Sequence, residues 1–83
     1  MYAVRITPEG IRHLDRLPQK VRAAALEAIF STIAVNPRRA GMLLLGELEG
    51  LRSARRGDYR VIFEVDEDER MVVVHRVQHR RDV

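Results

Sequence analysis

Hydrophobic and polar residues alternate at the start of this chain, recur at helical spacing through its middle, and alternate again towards its end. Over residues 2–6, Tyr2, Val4 and Ile6 fall on one side and Ala3 and Arg5 on the other, which is the period of a strand. Thr7-Pro8-Glu9 then has the form of a helix start, with Thr as N-cap, Pro at the first helical position and an acid in the first turn. Ile11, Leu14 and Leu17 recur at helical spacing, so a short helix runs to about Arg16 and Pro18 ends it. Val21, Ala24, Ala25, Ala28, Ile29 and Ile33 give a second helix over 19–35 its apolar face, and Asn36-Pro37 terminates it. With almost no chain between them, the two helices are expected to form an antiparallel hairpin. Residues 38–50 are less regular, and Leu43, Leu44, Leu45 and Leu48 are expected to tuck under the domain. Residues 51–56 read as a strand of low apolar content. Gly57-Asp58 is a turn or bulge signal. Residues 59–65 form a clear strand, with Tyr59, Val61, Phe63 and Val65 opposed to Arg60, Ile62 and Glu64. A polar reversal over 66–69 leads to a partner strand over 71–77.

Strand, helix, helix and then three strands predict an α+β fold, with the helices on one face of a largely antiparallel sheet and the other face partly open. The 83 residues are expected to make one domain, 1–83, with a thin stability margin. No cysteine is present to staple it or to bind a metal. No apolar run approaches the roughly 18 residues of a membrane span. The start, Met1-Tyr2-Ala3-Val4-Arg5, does not resemble a signal region. These features predict a soluble, unprocessed, cytoplasmic protein.

Charge changes this picture by giving it direction. The net charge is only +3, but of the 15 basic residues Lys20 is the sole lysine. Arginine presents a planar donor fork suited to phosphate and keeps its proton, although a GC-rich genome also raises its share. Arg52, Arg55, Arg56 and Arg60 stand against Asp58 alone, and Arg76, Arg80 and Arg81 follow with His75 and His79. The acids of the last third gather over 64–69. The sheet should therefore be positive at one end and negative at the other. If Tyr59, Val61 and Phe63 pack under the helices, Arg60 faces away from them. Whether Arg55 with Ser53, or Arg52 with Arg56, shares that open face depends on the Gly57-Asp58 connection. A converging set of arginines suits a polyanion, whereas a solvated strand face balanced by Glu64 and Asp66 is the plain structural alternative.

Several chemistries lack their motifs. There is no glycine-rich phosphate loop, no HExxH and no nucleophile elbow. His13, His75 and His79 have no metal-ligand spacing, and the acids over 66–69 lack a calcium-loop pattern, so neither a metal nor another cofactor is expected. His13 reads as a surface residue of the first helix. His75 shares strand parity with Met71, Val73 and Val77 and reads as a half-buried structural histidine. His79, in the basic tail, is the candidate titrating group for substrate contact.

The stretch Leu48-Glu49-Gly50-Leu51, followed by Ser53-Ala54-Arg55-Arg56-Gly57-Asp58-Tyr59-Arg60-Val61-Ile62-Phe63, resembles the RelE family of the RelE/ParE toxin superfamily. His75-Arg76-Val77-Gln78-His79-Arg80-Arg81-Asp82-Val83, Asn36-Pro37-Arg38-Arg39 and the element order extend the likeness along essentially the whole chain. The resemblance implies the toxin of a type II toxin–antitoxin pair. Such a toxin is a ribosome-dependent mRNA endoribonuclease, or mRNA interferase, that inhibits translation. It is blocked by a RelB-like antitoxin, through which the complex binds operator DNA. Matched residue by residue, Arg60 would contact the scissile phosphate, with Arg55 and Arg80 as the other catalytic arginines. Arg52, Arg56, His79 and Arg81 would bind RNA around them. Ser53 and Met42 stand where members often carry a basic residue, and the sequence ends at Val83, before the position of a catalytic Tyr in many members. These departures leave two alternatives beside the nuclease: a catalytically degenerate toxin that keeps antitoxin binding, and a non-enzymatic ParE-like gyrase poison. The antitoxin is expected on the outer helix face and the 43–48 segment.

Overall fold

The computed structural model describes residues 1–79. Strand β1 (Ala3–Ile6) leads into helix α1 (Pro8–Arg16), whose N-cap is Thr7 with Oγ1 accepting from the Gly10 N–H at 3.1 Å. The capped N–H would otherwise have no intrahelical partner. Leu17 closes α1, and α2 (Gln19–Ala28) follows Pro18 directly. The second helix then widens into a π-helical turn, Ile29–Ile33, closed by the bond from the Ala34 N–H to the Ile29 carbonyl at 2.9 Å. One extra residue in that turn accompanies burial of Ile29, Ile33 and Ala34 together. A short helix α3 (Pro37–Ala40) begins at Pro37, where the sequence places the break.

The remaining chain is mostly sheet: β2 (Met42–Leu43), β3 (Arg52–Arg56), β4 (Tyr59–Asp66) and β5 (Met71–His79). With β1 they form one five-stranded sheet in the order β1-β5-β4-β3-β2. All pairings are antiparallel except β1 with β5, which run parallel. The α+β fold expected from the sequence is present. Strand β2 is additional; two residues are too few for alternation to register.

One face of the sheet carries the core. Ala54, Tyr59, Val61, Phe63, Val72, Val74 and Val77 pack with Leu14, Leu17, Ala25, Ile29 and Ile33. Of the leucines expected to tuck under the domain, Leu44 and Leu48 are half-buried, but Leu43 and Leu45 are not covered. Leu43 is 59% and Leu45 87% exposed, beside Met42 at 79%. Because β2 is an edge strand, and the 3-10 turn Gly46–Leu48 follows it, this leucine run lies outside the layer between helices and sheet.

Two details of register position everything that follows. Gly57-Asp58 is a two-residue turn joining Arg56 to its cross-strand partner Tyr59, and Gly57 supplies the positive φ of +58°. Pairing therefore continues evenly through the hairpin. The irregularity lies in β5: Val74 pairs with Phe63 and Arg76 with Ile62, leaving His75 as an extra, bulged residue. Alternation reverses there, so Val77, grouped with Val73 by sequence parity, belongs instead to the core with Val72 and Val74. His75 remains half-buried and meets Glu64 at 2.7 Å.

Candidate phosphate-binding face of the sheet

The even hairpin decides which arginines share the open face. Arg55 is the direct cross-strand partner of Arg60, and Arg60 is in turn the partner of Gln78. Direct partners project from the same face. Arg55, Arg60 and Gln78 thus form a row across three strands on the face away from the helices, at the β3–β4 turn. Both arginines are exposed, and neither makes an ion pair or side-chain hydrogen bond among the described residues. Like charges directly opposed across strands are destabilising, by tenths of a kcal/mol to about 1 kcal/mol. An incoming anion between them would remove that repulsion. Two guanidinium forks from directly paired positions on adjacent strands can hold a phosphate by several charge-assisted hydrogen bonds. They cannot serve readily as proton acceptors.

The next row on this face is Ser53, Ile62 and Arg76. Ile62 is buried, and Arg76 Nε meets Glu9 Oε1 at 3.1 Å. The positive row therefore borders an apolar floor and a neutralised arginine. The acids lie towards the opposite end of the hairpin. There Glu67 accepts from the Tyr2 hydroxyl at 2.6 Å and from Arg38 Nε at 2.6 Å. These two donors hold the Glu67 carboxyl below the usual carboxylate range, while the same bond to Glu67 pushes the Tyr2 phenol up. Arg70 stacks over the Tyr2 ring at 4.6 Å.

The structure separates the other candidate residues. Arg52 and Arg56 are cross-strand partners of Phe63 and Tyr59, and so project from the helix-bearing face. Arg52 Nη1 donates to the carbonyls of Gly41 at 3.0 Å and Arg38 at 3.2 Å, tying β3 to the chain before β2. Arg56 lines a cavity with residues of the π turn and α3. His79 pairs with Tyr59, so alternation puts its side chain on the helix-bearing face, away from Arg55 and Arg60. Burial pushes the Tyr59 phenol up, which keeps it protonated. Arg80 and Arg81 lie outside the described residues.

Two residues emerge that the sequence did not single out for the site. Gln78 joins the arginine row only because the bulge reverses the phase of β5; the apolar run Val72-Val73-Val74 conceals that phase, and Val77 is the one hint of it. His13 is not simply a surface residue. Its Nδ1 accepts the Val77 N–H at 3.1 Å, satisfying the edge of β5 beyond the end of β1. In the neutral ring this leaves the proton on Nε2. His13 also lines a groove of about 710 Å³ with Arg16, Leu17, Val21 and His79. Among the described residues, no three His, Asp or Glu side chains gather as a metal site, and no helix is long and apolar enough to cross a membrane.

Two helices on one face of a small antiparallel-rich sheet are the fold of the compact RelE toxins. Comparison with known proteins agrees. Residues 4–83 match the family described as the ParE toxin of type II toxin–antitoxin systems, parDE. Toxin RelG of Mycobacterium tuberculosis is 42% identical over 82 residues, covering 99% of this chain and 94% of that protein. Toxin RelE of the same organism is 47% identical over 75 residues, 89% of this chain and 77% of that protein. In the crystal structure of the M. tuberculosis toxin–antitoxin complex RelBE2, a chain 42% identical superposes with a TM-score of 0.93, covering 98% of this chain and 93% of that one. The isolated Escherichia coli RelE toxin shares the fold at 17% identity, with a TM-score of 0.79 over 95% of this chain and 84% of that one. The chain belongs to the RelE/ParE toxin superfamily and is the toxin of a type II toxin–antitoxin system.

Proposed function

We propose that this toxin is a ribosome-dependent mRNA endoribonuclease that halts translation in the cytoplasm. The observation that carries this reading is the Arg55–Arg60 pair on the open face, without an ion pair among the described residues and with Gln78 beside it. In the proposed reaction the substrate's own 2′-hydroxyl attacks the adjacent phosphorus. The P–O5′ bond breaks, the 2′-proton passes to solvent or to a ribosomal group, the 5′-oxygen takes up a proton from solvent or from a ribosomal group as it leaves, and a 2′,3′-cyclic phosphate remains. Arg60 grips the scissile phosphate and Arg55 stabilises charge that grows on its oxygens. Charged donors of this kind act mainly by positioning and electrostatics. Arg80 is proposed as a third catalytic arginine, with Arg81 as a flanking RNA contact; His79, on the helix-bearing face, is not assigned one. The face holding Arg55 and Arg60 has no histidine or tyrosine in its arginine row, which supports delegating proton transfer to the ribosome.

The antitoxin proposed for this chain is RelB-like, since similar folds occur in complexes with RelB antitoxins. Exposed Met42, Leu43 and Leu45, together with Phe30 and Val35, offer apolar surface for it. Operator binding would come through the antitoxin.

Arg60→Ala should lower mRNA cleavage by roughly 10²–10³-fold, the scale for losing one charge-stabilising donor. Growth arrest should vanish with an unchanged circular dichroism spectrum. Full toxicity of the folded variant at equal expression would remove Arg60 from the mechanism. The ParE name of the matching family supports one other reading, a gyrase poison, against which stand relatives named RelE and RelG. Arrest of replication before translation, with intact mRNA, would decide for the gyrase poison.

A further inference from the structure

A second concavity lies on the opposite face from Arg55 and Arg60, behind the same turn. Its volume is about 380 Å³, and its lining includes Arg39, Arg56, Ser31, Thr32 and Asn36, with Val35 as an apolar wall. None of its lining residues is acidic. Its exposed surface is mostly apolar, and the guanidinium groups of Arg39 and Arg56 are the charged donors it offers an oxyanion.

The arginines nearest to these two are otherwise occupied. Arg38 is engaged by Glu67, and Arg52 by two backbone carbonyls. Arg39 makes no side-chain hydrogen bond or ion pair among the described residues, and Arg56 bonds only the carbonyl of Arg55, at 2.7 Å. Sequence neighbours Arg55 and Arg56 point to opposite faces of β3, so guanidinium groups bracket the Gly57-Asp58 turn on both sides.

We propose that the Arg39–Arg56 pocket is a second phosphate site, holding the backbone of the same single-stranded RNA after it rounds the β3–β4 turn. This rests on the nuclease reading of the open face. RNA is favoured over an acidic peptide because the pocket continues a line of arginines that begins at the row proposed to bind RNA. One flexible strand can present successive phosphates to both faces. The pocket supplies affinity and strand direction, and takes no part in bond breaking.

The test titrates the full chain with a short fluorescein-labelled single-stranded RNA carrying 2′-O-methyl groups, which cannot be cleaved, and reads anisotropy at several salt concentrations. Each phosphate contact contributes about 0.7 to the slope of log affinity against log salt for single strands. Arg39→Gln with Arg56→Gln should reduce that slope by about 1.4 and weaken binding. Arg12→Gln with Lys20→Gln, which removes equal charge elsewhere, should change the slope by less than half as much. Arg39→Lys with Arg56→Lys should restore most of the slope, which shows that a loss is not a folding defect. If the glutamine pair matches wild type, or if the charge control loses as much, the second site is overturned. Tighter binding of a polyglutamate peptide than of RNA at this pocket overturns it in favour of an acidic partner. Arg55→Gln with Arg60→Gln separates the two ideas. Loss of slope there, with none from Arg39 and Arg56, keeps the nuclease face and removes the second site; the reverse keeps the pocket and removes the face. No RNA binding by wild type removes both.

Discussion

The two ends of the β4 hairpin treat charge in opposite ways. At the β4–β5 reversal, Glu67 is held by Tyr2 and Arg38, and Arg70 lies over the Tyr2 ring. Nearby Glu64 meets His75. At the β3–β4 turn, Arg55 faces Arg60 directly, with no acid in their row. The first end resembles ordinary folding, in which charges find partners and β1 is fastened to the hairpin. The second carries a repulsion that no folding requirement explains. Exposed charge left unmatched among the described residues of a strand pair is available to a ligand, and that contrast, more than the total charge, is what favours the proposed site.

The sharpest way to break the comparison is Arg60→Ala. It should remove cleavage by the orders of magnitude given above, yet leave thermal stability equal or slightly higher. A large stability loss would mean that Arg60 belongs to the folding set. Gly41→Ala probes the opposite case, a position that matters for packing alone. A Cβ there would sit 2.8 Å from Phe63 Cζ, in the middle of the core, so urea unfolding should show a loss of about 1–3 kcal/mol, the cost of overpacking. RNA cleavage per folded molecule should be unaltered. Arg55→Glu turns the like-charge pair into an opposite-charge pair. It should raise stability in urea by roughly 0.2–1 kcal/mol while lowering cleavage, and stabilisation without loss of cleavage would separate Arg55 from the site.

The smallest effect belongs to the fastened end. The Glu67 carboxyl is held below its ordinary value of 4.5 in the folded chain. Its link therefore stabilises at pH values above that value and is lost as pH falls through the lowered folded value. Tyr2→Phe should lower the thermal midpoint slightly at pH 7, and the difference from wild type should close in acid below about 4.5. A difference that persists there would assign the Tyr2 contribution to packing and its contact with Arg70.

Much of this architecture could be read directly from residue types. Thr7-Pro8 fixes where α1 begins, because a hydroxyl cap and a missing N–H suit only that position. The alternation of Tyr59, Val61 and Phe63 places Arg60 on the open face by geometry alone. Leu43 and Leu45 misled for a simple reason. Hydropathy records what a side chain prefers, and an edge strand leaves it exposed when the layer beneath is already full. His13 was equally illegible. Its partner is a backbone N–H 64 residues away, and backbone groups have no letter in the sequence.

The sequence alone determined the element order, the core side of β4 and the crowding of arginine towards one end of the sheet, because these depend on local sterics and periodicity. Only the tertiary structure decided that Arg55 opposes Arg60 while Arg52 and Arg56 face the helices, and that Gln78 rather than His79 joins the row. Both outcomes follow from register: an even two-residue turn preserves the face of every residue across β3 and β4, and one bulged residue at His75 inverts it along β5. A shift of one position exchanges the two faces of a strand, and pairing between distant segments, not composition, sets that position.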